Sequence, residues 1–280
     1  MATTIGLLHP GDMGSAIGAA VRGGGARVLW MSEGRSPATR SRAQAAGLED
    51  IGTLKRLVQA SDVILSVCPP HAARDVARDV AREGFRGLYV DGNAVSPATG
   101  REVGAIVEAG GATFVDGGII GPPPTKPGTT RFYLSGKDAV RVVPLLKVGP
   151  LDAIVVDGPA GAASAVKMAY AAYTKGSAAL LIAIRALTTA EGVDEALIAE
   201  WNRSQPDLPG KSESVAGRNA KKAWRFVGEM EEIAATFKEA GLPEGFHQAA
   251  ADIYQRMAAY KDTPPPSIAD VAKELLAKRR

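Results

Sequence analysis

The chain has 280 residues, 46% hydrophobic and 22% charged, which at roughly 150 residues per domain suggests two domains. Its 32 glycines and 18 prolines stay below the roughly 25–30% share that marks disordered chains, and 33 basic against 30 acidic residues is too balanced for a nucleic-acid binder. One cysteine excludes an intrachain disulfide and points to a reducing, cytoplasmic setting; His9, His71 and His247 are too scattered for a zinc site.

Strands are expected at 4–9, 27–31, 62–67, 87–91, 113–116, 131–135 and 153–157. Helices are expected between most of them, at 13–22, 37–46, 72–83, 97–109 and 138–146. Strand–helix alternation of this kind predicts an α/β domain over 1–157, with a mostly parallel, doubly wound sheet covered on both faces. A proline-free stretch from Pro159 to about Ala190, rich in Ala, Leu, Lys and Met, then predicts one long interdomain helix of about 45 Å. Its apolar segment 176–184 lies between Lys175 and Arg185, too short for the ~20 residues of a membrane span. No basic leader precedes an apolar run at the N-terminus, so no secretory signal is expected. Helices at 193–202, 212–222, 224–240 and 246–260 make residues 158–280 an all-α domain. Pro264, Pro265 and Pro266 read as a stiff spacer before a short basic terminal helix.

The first strand runs into His9-Pro10-Gly11-Asp12-Met13-Gly14. A loop at this point in a strand–helix–strand unit cradles a pyrophosphate on the free amides of the helix start. His9 replaces the first glycine of the usual G-x-G-x-x-G; Gly11 and Gly14 keep the other two. About 20 residues on, the second strand ends at Ser32, Glu33, Arg35 and Ser36. An acid here suits a ribose hydroxyl and an arginine suits a 2′-phosphate, so Arg35 and Ser36, with Arg40, favour NADP(H) over NAD(H). Cys68, Pro69 and Pro70 follow the fourth strand and read as a turn over the cofactor. The spacing of Cys68 and His71 admits a nucleophile pair, but a small buried residue before a proline turn is the preferred reading. Arg74, Arg78 and Arg82 alternate with acids on a solvated helix face. Trp224, Phe226, Met230, Ile233 and Phe237 follow helical spacing and read mainly as core.

Several ordered segments together resemble one family. Gly11-Asp12-Met13-Gly14 is similar to its glycine loop and Gly34-Arg35-Ser36 to its Asn-Arg-Thr. Asp91-Gly92-Asn93-Ala94-Val95-Ser96-Pro97 is similar to its Asp-x-Ser-Thr-x-Ser-Pro. Asp116-Gly117-Gly118-Ile119-Ile120-Gly121 corresponds to its substrate loop, and 158–167 to its G-x-x-G-x-G-x-x-x-K helix start. From Ile5 to about Met257 the chain thus resembles the β-hydroxyacid dehydrogenase/6-phosphogluconate dehydrogenase-like superfamily, which includes 3-hydroxyisobutyrate dehydrogenases and imine reductases. It looks like an orphan branch with a phosphogluconate dehydrogenase-like C-terminal domain.

The resemblance implies a Rossmann domain followed by a helical substrate and dimerisation domain, and a homodimer with interlocked helical domains. It implies Lys167 as general acid in reduction and base in oxidation. Tyr170, three residues on and so on the same helix face, would hydrogen-bond the substrate or share the proton relay. Asn93 joins the cofactor contacts. Gly118, Ile119, Ile120 and Gly121 face substrate, and the proline-rich 121–128 stretch walls the pocket. Trp224 and Met230 would reach substrate from a second subunit.

The departures from the family also carry information. Tyr170 and Ala171 stand where the family has Asn or His-Asn, Ile120 where it has a carboxylate-binding Ser, and Glu231-Glu232 where it has Lys-Asp. They argue against phosphogluconate decarboxylation and for a larger or less charged substrate. The expected function is an NAD(P)H-dependent oxidoreductase acting on a carbonyl or hydroxyl, with no metal. The alternatives are an imine reductase and a nucleotide-sensing protein without turnover.

Overall fold

The computed structural model describes residues 2–277. It divides into two compact units, Met1–Met168 and Ala169–Arg280. In the first, β1 (Thr4–Leu8), α1 (Asp12–Gly23), β2 (Arg27–Trp30), α2 (Pro37–Ala45), β3 (Glu49–Asp50), α3 (Leu54–Ala60), β4 (Val63–Ser66), α4 (Ala73–Arg82), β5 (Leu88–Asp91), α5 (Pro97–Ala109) and β6 (Thr113–Ile120) alternate along the chain. They are followed by β7 (Thr130–Ser135), α6 (Ala139–Leu146) and β8 (Leu151–Val155). The eight strands lie in the order β3-β2-β1-β4-β5-β6-β7-β8. All neighbours are parallel except β6 and β7. Strand order reverses between β1 and β4, the switch point where ligands of doubly wound sheets bind.

Side-chain alternation along the strands sorts the core onto the two faces. Ile5, Leu7, Val63, Leu65, Val90 and Val115 meet Ile17 and Val21 of α1, Ala43 of α2 and Val142 of α6. Leu8, Ile64, Tyr89 and Phe114, one residue out of step, meet Leu57 of α3, Ala77 and Val80 of α4, and Val103 and Val107 of α5.

Three boundaries differ from the sequence expectation. β3 and α3 are additional: the first is a two-residue edge strand of charged residues, and the second is a single polar-faced turn-and-a-half capped by Thr53, which accepts from the Arg56 amide at 3.4 Å. β6 continues four residues past Asp116, so the expected substrate loop is strand up to Ile120. Gly117 and Gly118 within it admit close neighbours. A Cβ on Gly117 would lie 2.7 Å from the Asp91 carbonyl oxygen. The long helix, α7, is Ala162–Glu191, starting three residues later than expected because Gly161 has φ 104°, a left-handed conformation that no helix interior accepts.

The division between the units falls within α7. The second unit holds α8 (Asp194–Ser204), α9 (Leu208–Ala220), α10 (Ala223–Glu239), α11 (Gly245–Arg256) and α12 (Ile268–Leu276). The C-terminal part of the expected 246–260 helix is a 3-10 turn, Ala258–Asp262. The basic end of the expected terminal helix, 278–280, lies outside the described residues. Arg185 of α7 pairs in two-pronged fashion with Asp194, at 2.8 Å through both Nε and Nη2, and Nη1 donates to Ser212 Oγ at 3.0 Å. Lys175 and Glu229 form a buried pair at 2.8 Å, with side chains 13% and 8% exposed. Among the described residues no helix is long and apolar enough to cross a membrane.

Removing one member of a buried pair strands a charge in a poor dielectric, at a cost of about 3 kcal/mol. Glu229→Ala is expected to destabilise the second unit by about that much in urea unfolding. The double variant Lys175→Met/Glu229→Leu should recover most of the loss. Equal destabilisation in both would show that the pair's charge is not what matters.

Candidate active site

The loop after β1 is held by its own backbone. His9 has φ 63°, and it is the one non-glycine among the described residues with positive φ. It therefore occupies the conformation that the first glycine of the motif usually provides, a strained state for histidine. The Gly11 amide donates to the His9 carbonyl oxygen at 2.7 Å, and Ser15 Oγ donates to the Gly11 carbonyl oxygen at 2.7 Å. A Cβ on Gly14 would sit 2.5 Å from the His9 carbonyl oxygen, whereas one on Gly11 would meet nothing within 4 Å. Gly14 is thus required for helix–loop closeness, and Gly11 leaves an open face. No side chain caps α1 at Gly11. The first-turn amides are directed at that face, which fits the pyrophosphate of a dinucleotide. Pro10 is buried; Met13 is half-buried and packs on the core. Asp12 is exposed and lies 3.6 Å from Arg42 Nε.

Beyond β2, the Arg35 amide donates to the Ser32 carbonyl oxygen at 3.1 Å, closing a turn through exposed Glu33 and through Gly34, φ 67°. The Ser32 amide donates to Asp50 Oδ1 at 3.1 Å. Ser36 caps α2 by accepting from the Thr39 amide at 3.3 Å. Arg40 is engaged in bracing this turn: its Nη2 donates to the Ser32 carbonyl oxygen at 2.8 Å and its Nε to the Arg35 carbonyl oxygen at 3.3 Å. Arg35 is different. Its Nε is buried without a hydrogen-bond partner, burial holds its pKa below the ordinary arginine value, and Cys68 is its electrostatic neighbour. His9 in turn feels the Arg35 charge. The guanidinium therefore lies near the first and fourth strand ends, beside the glycine loop.

At the end of β4, burial foremost, then the Asp91 charge, pushes the Cys68 thiol up to about 12. It stays protonated at neutral pH, and His71 is solvent-exposed; a nucleophilic pair has no support here. Pro69 leads into a 3-10 turn at Pro70–Ala72. The expected direct contact of Asn93 with cofactor is corrected. Asn93 is 1% exposed and fully occupied as a clip between β4 and β5. Its Oδ1 accepts from the Cys68 amide at 2.6 Å, its Nδ2 donates to Ser66 Oγ at 3.2 Å, and its amide donates to Asp91 Oδ1 at 2.7 Å.

The start of α7 lies directly on β6. A Cβ on Gly118 would fall 2.7 Å from Lys167 Cβ and 2.8 Å from the Ala163 carbonyl oxygen. The Ser164 amide donates to Asp116 Oδ2 at 3.0 Å. Helix residue 164 thus meets strand residue 116 and residue 167 meets 118, so the first turns of α7 rise in the direction of β6. Half-buried Lys167 comes level with Gly118, two residues short of the strand's carboxyl end, the edge that carries the glycine loop. Ile120 is 3% exposed on the Gly118 side. Ile119 is corrected from a substrate contact to core, since it points to the opposite face among the first cluster. Gly121 has φ 121° and opens the β6–β7 connection; a Cβ there would be 2.1 Å from the Thr129 carbonyl oxygen. Thr130 Oγ1 donates to the Pro122 carbonyl oxygen at 2.6 Å, fastening that connection.

In the second unit, Tyr170 is 49% exposed and Trp224 37% exposed, with Lys261 Nζ 4.3 Å from the Trp224 ring centroid. Met230 is 0% exposed. With no surface to offer any ligand, it is corrected from a substrate contact to core. The sequence reading gave Asp116, Ser135 and Ser164 no role of their own: the first and last lay inside segments matched to the family, and Ser135 was only a polar residue ending a strand.

A glycine loop at the switch point of a 3-2-1-4-5-6 sheet defines a Rossmann-type dinucleotide-binding protein. The chain belongs to the family described as the NAD binding domain of 6-phosphogluconate dehydrogenase, which matches residues 4–147. A domain of unknown function, DUF1932, matches residues 189–257. A curated relative, an uncharacterised 28.5 kDa protein from Methanothermus fervidus, is 33% identical over 59% of this chain, and the match spans 63% of that relative's length.

Among solved structures, a conserved protein of unknown function described as structurally similar to 3-hydroxyacid dehydrogenases is 27% identical. Its TM-score is 0.68, and the match covers 92% of this chain and 99% of that one. A Mycobacterium tuberculosis 3-hydroxyisobutyrate dehydrogenase studied with L-serine is 22% identical, TM-score 0.73, over 99% and 100%. An imine reductase variant from Myxococcus stipitatus in complex with NAD+ is 21% identical, TM-score 0.56, over 98% and 100%.

Burial, and then the Arg35 charge, lower the His9 pKa from 6.5 to about 4. Between those values the unfolded chain binds a proton that the folded chain refuses, so stability rises with pH through this window and is lost as pH falls below 6.5. The expected span is about 3 kcal/mol. His9→Asn, which tolerates positive φ, should flatten the stability profile from pH 4 to 6.5 in urea titrations. An unchanged profile would place the ring in water.

Proposed function

We propose that the protein is an NADP(H)-preferring oxidoreductase that interconverts a carbonyl and a hydroxyl on a small-to-medium, weakly charged substrate. The observation that carries this reading is Lys167, level with Gly118 at the sheet edge that bears the glycine loop. When bound, the nicotinamide supplies or takes the hydride. The Lys167 ammonium donates a proton to the substrate oxygen during reduction, and the neutral amine takes it back during oxidation. Tyr170, one turn along α7, holds the substrate oxygen or shares that proton. Gly121 and the β6–β7 connection form the substrate wall, backed by the buried Gly118 and Ile120. The apolar Ile120 behind that wall offers no partner to a substrate carboxylate at that point.

His9, Gly11, Met13 and Gly14 cradle the pyrophosphate, and Arg35 with Ser36 meets the 2′-phosphate. The buried, unpartnered Arg35 Nε supports that assignment, because a phosphate oxygen would satisfy it. Residues 1–157 serve as the dinucleotide domain and 158–280 as the helical substrate and dimerisation domain of a cytoplasmic homodimer. The dimer reading is supported by Tyr173, Leu180 and Leu187, which recur every seven residues along α7 and are 77%, 46% and 59% exposed, the spacing of a helix–helix seam.

A panel of β-keto acids, aldehydes, ketones and cyclic imines with NADPH tests the activity. On the substrate that turns over, Lys167→Met is expected to lower kcat by about 10²–10⁴-fold with NADPH affinity unchanged. Near-normal turnover in that variant would remove the proton donor from the mechanism, and turnover of imines alone would shift the assignment to C=N reduction. Arg35→Ala is expected to weaken NADPH binding by about 10–100-fold while leaving NADH binding within a factor of two. Equal losses for both would end the 2′-phosphate assignment.

A further inference from the structure

One carboxylate in the first unit is used by neither the glycine loop nor the proposed proton transfer. Asp116 is 0% exposed, as are Ser135 and Ser164. Its Oδ2 accepts from Ser135 Oγ at 2.8 Å and from the Ser164 amide at 3.0 Å, and its Oδ1 accepts from Ser164 Oγ at 2.6 Å. Ser135 Oγ in turn accepts from the Ala163 amide at 3.0 Å. Asp116 and Ser135 are register partners across β6 and β7. A helix start leaves its first amides without partners, normally satisfied by a capping side chain of the residue just before it. Here that residue is Gly161, which has none. Two amides of the first turn of α7 are instead taken by a serine and a carboxylate reaching in from two strands.

The surroundings are cut to this arrangement. A Cβ on Gly100 of α5 would lie 3.1 Å from Asp116 Oδ1 and 3.3 Å from Ser164 Oγ. Gly118, two residues along β6 and so on the same face as Asp116, lets Lys167 and Ala163 lie against the strand. The geometry points to Asp116 as a positioning residue: with Ser135 and Ser164 it forms a cap in trans that pins the first turn of α7 and thereby fixes where the Lys167 stem leaves the helix. This rests on the reading of Lys167 as proton donor. A buried carboxylate also favours the helix N-terminus electrostatically. Its two oxygens accept from three donors, and the amide of asparagine would turn a donor toward one of them.

The test compares full-length wild type, Asp116→Asn and Ser164→Ala. Three readouts are used: amide exchange at Ala163 and Ser164, the NMR titration of Lys167 after reductive 13C-methylation with its signal assigned through Lys167→Arg, and steady-state kinetics with NADPH. In Asp116→Asn those two amides are expected to exchange about 10–100-fold faster. The Lys167 signal should broaden with a displaced titration midpoint. The kcat value should fall about tenfold or more, with KM and NADPH affinity unchanged.

Should Asp116→Asn fail to fold, Ser164→Ala keeps two of the three donors and is expected to move every readout in the same direction by a smaller factor. Wild-type exchange and a wild-type Lys167 signal in a folded variant would overturn the seat. If Lys167→Met keeps its turnover, the proton-donor reading falls by itself while exchange and the Lys167 signal still decide the seat. If Lys167→Met loses turnover but Asp116→Asn leaves kcat and the Lys167 signal untouched, the seat falls by itself.

Discussion

A carboxylate out of reach of water, accepting from three donors, joins the sheet to the helix that carries Lys167. A buried charge is tolerated only when its lone pairs are filled, and Asp116 meets that condition with Ser135 and both the amide and hydroxyl of Ser164. The aim proposed for Lys167 depends on this seat, because a flexible four-carbon side chain is only as well aimed as the backbone that holds it. The glycine opposite, Gly118, does the complementary work by letting the helix come within contact of the strand.

The glycine loop illustrates the other way in which this fold meets a geometric demand. The turn after β1 needs a left-handed residue, and the chain uses histidine where glycine would cost nothing. The strain is held by the Gly11 amide and by the closeness of Gly14 to the His9 carbonyl. In return the loop gains a ring beside Arg35, close to where phosphate charge is proposed to sit. Burial keeps that ring neutral over the physiological range, so the loop adds shape without adding a fixed charge.

Most of the architecture was legible in the residues. Apolar runs of β-branched and aliphatic side chains, broken by Ala- and Arg-rich helices, identified seven of the eight strands, and the absence of proline from 160 to 190 identified the long helix. What the residues concealed follows from physics that local pattern does not carry. Gly117 and Gly118 look like strand breakers until Phe132, Asp91 and Lys167 are seen to need the space. Met230 fits helical spacing for either core or ligand, and only its burial decides. Asn93 lies in a segment that the family resemblance places at the cofactor, yet its side chain is spent joining two strand ends. Arg40 looked as available to a phosphate as Arg35, but backbone carbonyls already claim it. Asp116 opened a family-like segment, but a lone acid in a strand is ordinarily a solvated one, and nothing local shows that it holds a helix start.

The missing side chain at Gly118 has a steric corollary. A methyl group there would have to displace both the lysine stem and a helix carbonyl, so this position takes a side chain only if the helix moves. A side chain added beyond Gly121, in the proline-rich stretch proposed as the substrate wall, would meet no such obstacle from the helix. The contact that holds the Lys167 stem and the wall proposed for substrate are thereby separate stretches of one strand and its connection.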